Sequence, residues 1–278
     1  MSDADSTFAD GRYLYCVALS DAEMDESSLS TTGLDDEPVR VVREAGLAAV
    51  VHDCTSLYDS DSATQIQRWI LAHQSVVDDA GEAFGTPLPF QFDTIVRGDD
   101  EALRSWLSDE AETLTDHLDA LAGRWEYRIE VVWDEAAARE ELEEADDELR
   151  DLAERREEAS EGTQFLLNKQ YESRLDQLVS EQRRAEAADL ADRLSGEVTD
   201  LVDLGERSTV GLDIGGADED VDVLARFSVL ATDDEQEAVG LLLDDVAADP
   251  GIEVRFTGPW PPYTFTPELG GEDAPDEV

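Results

Sequence analysis

The chain is almost without lysine. Lys169 is the only one in 278 residues, and lysine plus arginine total 20 against 70 aspartates and glutamates, a formal net charge of −50. With no basic patch to neutralise phosphates, nucleic acid is excluded as a partner. Histidine is nearly as scarce: His52, His73 and His117 are the only three, no two at the i, i+4 spacing of a helical metal site. His73 sits among Trp69, Ile70, Val76 and Val77 and reads as a core histidine. The two cysteines, Cys16 and Cys54, both fall in expected strands. A disulfide between them is open, with two buried thiols in a reducing cytoplasm as the default. No apolar run approaches the ~20 residues that span a bilayer. The Met-Ser-Asp-Ala-Asp start is acidic where a signal peptide is basic. A soluble cytoplasmic protein that does not enter membranes is expected.

Phosphate-binding loops are missing too. Gly211 to Gly216 follows a strand into a turn, without the downstream helix a dinucleotide site requires. Asp218-Glu219-Asp220 lacks the spaced ligands and closing glutamate of a calcium loop and reads as a solvated acidic turn. Carboxylate pairs are everywhere, so none marks a catalytic dyad. No cofactor, metal or catalytic residue is expected.

What is present is enough apolar matter for a folded chain. Hydrophobic residues make up 41% and there are five tryptophans, which argues against an acidic disordered protein. So much like charge repels itself at low ionic strength, whereas in ~1 M salt the Debye length falls to about 3 Å. The composition suits a halophile.

Arg12 to Leu19 reads as a buried strand, and Val39 to Arg43 and Leu47 to Asp53 as a hairpin turning at Glu44-Ala45-Gly46. From Ser62 the period changes to three and four (Ile66, Trp69, Ile70, His73, Val76, Val77), giving a helix stopped by Gly85. Thr86 to Ile95 is an extended, proline-interrupted edge strand, and one helix from about Asp99 runs to Gly123. Trp125 to Trp133 alternates as a half-exposed strand. A charged helical region follows whose narrow seam steps through Leu142, Ala145, Leu149 and Leu152. The seam resumes at Tyr171, Leu175 and Leu178, then continues through Leu190, Leu194, Val198 and Leu201. The break at Gly162 suggests an antiparallel hairpin. Strands Thr209 to Ile214 and Val221 to Leu230, a helix capped by Asp233 and a last strand Ile252 to Thr257 complete the chain.

The expected fold class is α+β in two domains. Residues 1–10 form a loose acidic start, 11–122 an N-terminal α+β domain, and 123–268 a modified ferredoxin-like domain. The second domain carries a long coiled-coil-like helical insertion at about 135–204, and 269–278 is an acidic tail. After the last strand comes Gly-Pro-Trp-Pro-Pro-Tyr-Thr-Phe, Gly258 to Phe265. Pro259, Pro261 and Pro262 end the strand and stiffen a segment bearing Trp260, Tyr263 and Phe265. That segment is either a strap over the chain's own core or a partner-docking element.

These pieces together resemble the gas vesicle protein F and L family. The resemblance rests on the Tyr-Leu-Tyr-Cys-Val first strand, the strand ending at His52, the Trp69 to Val77 helix, Pro87 to Thr94 and above all the closing motif. Family members carry the closing motif with serine where Thr264 stands. Gln91 and Asp93 stand where the family's Leu-Pro-Phe-Arg-Phe-Gly-Thr-like stretch has arginine and glycine. Length and acidity are most like the L members of haloarchaea. The resemblance implies a non-enzymatic assembly factor, associated with gas vesicles, that binds the hydrophobic shell protein and other gas vesicle accessory proteins. Candidate partner-binding residues are Trp260, Tyr263 and Phe265 of the closing segment and Leu142, Leu149, Tyr171 and Leu175 of the seam. A small-ligand-binding regulatory module is the competing reading, resting on fold analogy.

Overall fold

Tyr13 to Ala18 is an unbroken run of apolar and aromatic residues, and all six side chains are excluded from solvent. Such a run suits only the centre of a sheet covered on both faces. It lies in strand β1 (Thr7–Leu19), whose neighbours are β3 (Leu47–Ser56) and the short β4 (Leu88–Pro89) and β5 (Ile95–Arg97); β2 (Arg40–Glu44) pairs beyond β3. Helices α1 (Ala63–Phe84) and α3 (Ala111–Leu121) both pack on β1, and α2 (Asp100–Asp109) lies against β2 and β5. The computed structural model describes residues 7–20, 29, 31–205 and 222–267. By contacts they divide into one unit that runs to Glu126 and resumes at Pro259, and a second, Tyr127–Gly258.

Several expectations are corrected in the first unit. Residues 7–10, read as part of a loose start, extend β1, since Thr7 pairs with Ser56 and Phe8 packs on the core. The helix expected from Asp99 to Gly123 is two helices, broken at Glu110 (φ −93°, ψ 4°) with no proline or glycine to mark the break. The extended segment 86–95 contributes only Leu88–Pro89 and then Ile95–Arg97 to the sheet, because Pro87 and Pro89 have no N–H for a continuous ladder. Between them Asp93 adopts φ 67°, the left-handed conformation that glycine takes most readily.

The second unit begins in β6 (Trp125–Trp133) and holds β7 (Asp200–Asp203), β8 (Val223–Ala231) and β9 (Ile252–Trp260) in the order β7-β8-β6-β9. Between β6 and β7 lie α4 (Glu135–Ala145), α5 (Asp147–Glu158) and α6 (Glu161–Ser195); α7 (Asp233–Val246) joins β8 to β9. The helical region thus has two breaks, at Asp146 and at Ala159-Ser160, and Gly162 lies inside the first turn of α6. Asp146 explains the first break: it caps α5 by accepting from the Leu149 N–H (2.9 Å) while Arg174 donates to its other oxygen (2.8 Å). The seam ends with α6, so Leu201 is a strand residue. Its leucine spacing continues the helical step by coincidence, and Gly196 ends the helix.

The cap of α7 is Thr232, not Asp233. Its hydroxyl accepts from the Glu235 N–H while the Glu235 carboxylate accepts from the Thr232 N–H, a reciprocal capping box. The prolines do not end the last strand at Thr257 either: β9 runs through Pro259, which an edge strand tolerates. The expected strand Thr209 to Ile214, the acidic turn at Asp218 and the tail 269–278 lie outside the described residues.

The β2–β3 hairpin turns on Ala45 (φ 51°) and Gly46 (φ 81°), with Glu44 paired to Leu47. Positive φ at both central positions is the type I′ turn, which favours asparagine followed by glycine. Alanine at the first position is strained by roughly 1 kcal/mol. Ala45→Asn should therefore raise stability by about 0.5–1 kcal/mol in chemical denaturation at molar salt.

Candidate interaction site

The closing segment follows directly from β9. Trp260, its last strand residue, is 37% exposed, whereas Pro261 and Pro262 are buried. Tyr263 to Phe265 then form one 3-10 turn. Tyr263 packs against the first unit's core, its ring 6.3 Å from His73, with its hydroxyl fully enclosed. Phe265 is half-buried. Thr264 fixes the segment: its N–H and hydroxyl both donate to the fully buried Glu126 carboxylate, at 2.8 and 2.7 Å. A buried carboxylate is costly unless hydrogen-bonded, and the turn supplies Glu126 with two donors. Either serine or threonine supplies the hydroxyl. The strap reading holds for Tyr263 and Thr264, and 259–267 packs with the first unit, although the strand before it belongs to the second domain as read from sequence.

Beneath the strap lies a set of hydrogen-bonded rings. A register shift in β1 makes Tyr15 the extra residue between Leu14, which faces Val51, and Cys16, which faces Val50. The bulge re-aims the Tyr15 hydroxyl, which accepts from the Leu34 N–H (3.0 Å) and donates to His52 Nδ1 (2.8 Å). His52 Nε2 then donates to the Tyr58 hydroxyl (2.8 Å). Tyr13 accepts from the Asp93 N–H (3.1 Å) and donates to His73 Nδ1 (2.9 Å), and His73 Nε2 donates to the Phe90 carbonyl (3.1 Å). This proton order needs neutral histidines, and burial pushes both down to about 4. Burial also raises the Tyr13 and Tyr15 hydroxyls far above their usual range and Cys54 to about 11. Both cysteines are free thiols. Every group is held in its unreactive form. Among the described residues no group of three or more His, Cys, Asp or Glu is placed to hold a metal ion. No helix among them is long and apolar enough to cross a membrane.

The other candidate residues lie in the helical insertion. Leu149 is fully buried and Leu175 nearly so, both in the α5–α6 seam; Leu142 and Tyr171 are half-exposed. Leu149 and Tyr171 help line an open cleft, together with Glu140, Glu143, Glu144, Arg150 and Ala153. The Tyr171 hydroxyl is hydrogen-bonded to Glu143, and the Arg156 guanidinium stacks 5.4 Å from its ring. Arg139 bonded to Asp176 (2.8 Å) and Arg174 bonded to Asp146 fasten α4 and α5 to α6, and the Arg174 hydrogen bond holds the Asp146 carboxyl below the usual range. Farther along, Leu190 and Leu194 are buried where α6 packs on β7 and β8. The seam residues thus meet in one insertion, and Trp260, Tyr263 and Phe265 in one strap.

Sequence reasoning missed Glu126 and the exposed pair Phe165 and Leu166. Glu126 has the same residue type as dozens of surface carboxylates and no distinguishing signal. Phe165 and Leu166 had one: in Phe-Leu-Leu only Leu167 lies four residues before Tyr171, on the seam.

The family model for gas vesicle synthesis protein GvpL/GvpF matches residues 11–267, from the bulged first strand through the strap. The chain belongs to the GvpL/GvpF family. It is 44% identical to gas vesicle protein L1 of Halobacterium salinarum over 271 residues, covering 97% of this chain and 95% of that one. It is 36% identical to gas vesicle protein L of Haloferax mediterranei, covering 95% and 90%. The crystal structure of gas vesicle protein GvpF from Anabaena sp. superposes with a TM-score of 0.68 at 19% identity, covering 93% of this chain and 99% of that one. The structure of GvpF from Microcystis aeruginosa gives 0.65 at 17%. These two establish the shared mixed fold.

Burial makes two outcomes measurable. Tyr263→Ala should cost about 3 kcal/mol of stability, whereas Trp260→Ala, 37% exposed at the end of β9, should cost less, about 1–2 kcal/mol in the same denaturation experiment. A histidine whose folded pKa lies below its unfolded value binds fewer protons folded than unfolded, so stability falls as pH drops from about 6.5 towards 4. Acidification from pH 7 to 4 should therefore destabilise the wild type by up to about 3 kcal/mol more than His73→Gln, read from paired denaturation curves.

Proposed function

We propose that this GvpL/GvpF protein is a non-enzymatic assembly factor of gas vesicles. In this reading it works in the cytoplasm of a halophile, associated with the vesicles, and binds the hydrophobic shell protein or other gas vesicle accessory proteins. The observation that carries the reading is the family match over residues 11–267, spanning nearly all of the described fold. The relatives named above are gas vesicle proteins, none with an enzyme's name. Physical chemistry supports the role: a subunit that polymerises through apolar faces must be kept from aggregating, and a highly charged partner can cover those faces until assembly. The two units are read as two domains. The order β7-β8-β6-β9 supports a ferredoxin-like second domain in which α4, α5 and α6 replace the first crossover helix.

Of the candidate partner-binding residues, Leu149, Leu175 and Tyr263 support the fold from inside. Trp260, Phe265, Leu142 and Tyr171 retain exposed surface for a partner. Arg174 touches Asp146, so the insertion can be shortened by replacing Asp147–Glu172 with a brief Gly-Ser turn. In about 2 M salt, a tagged full-length chain should retain the shell subunit or an accessory protein on co-purification. The shortened variant, which lacks Tyr171 but keeps Leu142, Trp260 and Phe265, should keep its circular dichroism thermal transition and weaken that retention. If the full-length chain retains no gas vesicle protein, the proposal is wrong.

A further inference from the structure

The outer face of the first two turns of α6 departs from the rest of the surface. Phe165 and Leu166 are 70% and 60% exposed, the only adjacent large hydrophobics so exposed among the described residues. Gly162, three and four residues earlier, and Lys169, four and three residues later, share their helix face. A side chain at Gly162 would meet open space, so this stretch of the face is uncovered. Charge changes here as well. From Arg155 to Lys169 the three acids Glu157, Glu158 and Glu161 balance the three cations Arg155, Arg156 and Lys169, net zero in a chain of net −50.

We propose that this hairpin tip is a self-docking surface, on which a second copy of the chain packs its α6 antiparallel about a two-fold axis between Phe165 and Leu166. The pattern is self-complementary about that axis. The two apolar pairs meet at the centre. Lys169 of one copy comes opposite Gly162 of the other, where the missing side chain lets the lysine stem cross the helix and its ammonium reach Glu161. Symmetry repeats the contact. A two-fold contact made through a strongly acidic face would set carboxylate against carboxylate; the tip is neutral. In molar salt the residual repulsion between copies is screened within about 3 Å, while apolar contact persists. One helix tip per copy buries far less than the roughly 1,200 Å² of a stable interface, so the dimer is weak and concentration-dependent.

Sedimentation equilibrium of the full-length chain alone, in about 2 M KCl across two decades of concentration, tests this without any other gas vesicle protein. The wild type should pass from monomer towards dimer. Phe165→Ser with Leu166→Gln should raise the dissociation constant by at least about tenfold without lowering the thermal midpoint. Lys169→Glu should weaken the dimer too, and adding Glu161→Lys should restore it. A chain that stays monomeric throughout overturns the proposal, as does a dimer indifferent to the tip substitutions or a Lys169→Glu defect that Glu161→Lys leaves unrepaired.

Discussion

Everything in this fold is arranged around an excess of 50 negative charges that cannot be packed together. Carboxylates must face solvent or meet one of 20 cations, and all but Lys169 are arginine. The planar guanidinium can hold two carboxylates at once in a fixed geometry, which a lysine does poorly. Arg12 and Arg40 do this on the first sheet. Arg12 meets Asp10 and Asp100 at 2.6 Å each, and Arg40 reaches Asp100 at 2.7 Å. Burial works to raise the Asp100 carboxyl, but the hydrogen bonds from Arg12 and Arg40 outweigh it and hold the group below its ordinary range. On the second sheet the roles reverse. One carboxylate, Glu130 of β6, receives Arg226 of β8 at 2.7 Å and Arg255 of β9 at 3.1 Å, joining three adjacent strands. In the insertion, Arg139 and Arg174 tie three helices whose apolar seam is narrow.

Glu126 shapes the end of the chain. It is fully buried, and its carboxylate accepts from the Thr264 N–H and hydroxyl. The strap is thereby part of the fold. Pro261 and Pro262 limit the conformations open to the unfolded segment, which lowers the entropy lost on docking, and Tyr263 closes over the ring network of β1 and α1. A segment rich in prolines and aromatics invites a reading as a recognition element, yet its most buried members are spent on the chain's own core. Trp260 is the most exposed of its three aromatics, at 37%.

Much of this was legible in the sequence, for identifiable reasons. Strands β1, β3, β6 and β8 and helices α1 and α7 announce themselves through uniform or periodic apolar runs, and the closing motif points to the family. Boundaries set by single polar residues were not legible, because with 70 acids in 278 residues a capping carboxylate does not stand out from its neighbours. Asp146 as a cap held by Arg174 and Glu126 inside the core are set by tertiary contacts that no local pattern marks, and Thr232 rather than Asp233 caps α7. Leu201 misled because a leucine can keep step with a helix that Gly196 has already ended. Within the candidate site, Leu149, Leu152 and Leu175 were read into the seam and are buried, whereas Leu167 and Val179, buried in α6 as well, were not, and Ala145, read into the seam, is exposed. Asp93 is instructive in the other direction. It stands where the family stretch has glycine, and it does adopt glycine's left-handed conformation, compensated by accepting from the Tyr58 N–H at 2.9 Å.

The most direct test of this account is amide hydrogen exchange at Thr264 in molar salt, for the wild type and Glu126→Gln. If the strap is integral to the fold, the wild-type Thr264 amide exchanges as slowly as the central amides of β1, and the substitution speeds it selectively. A Thr264 amide that exchanges at the rate of a free chain end in the wild type would contradict the account.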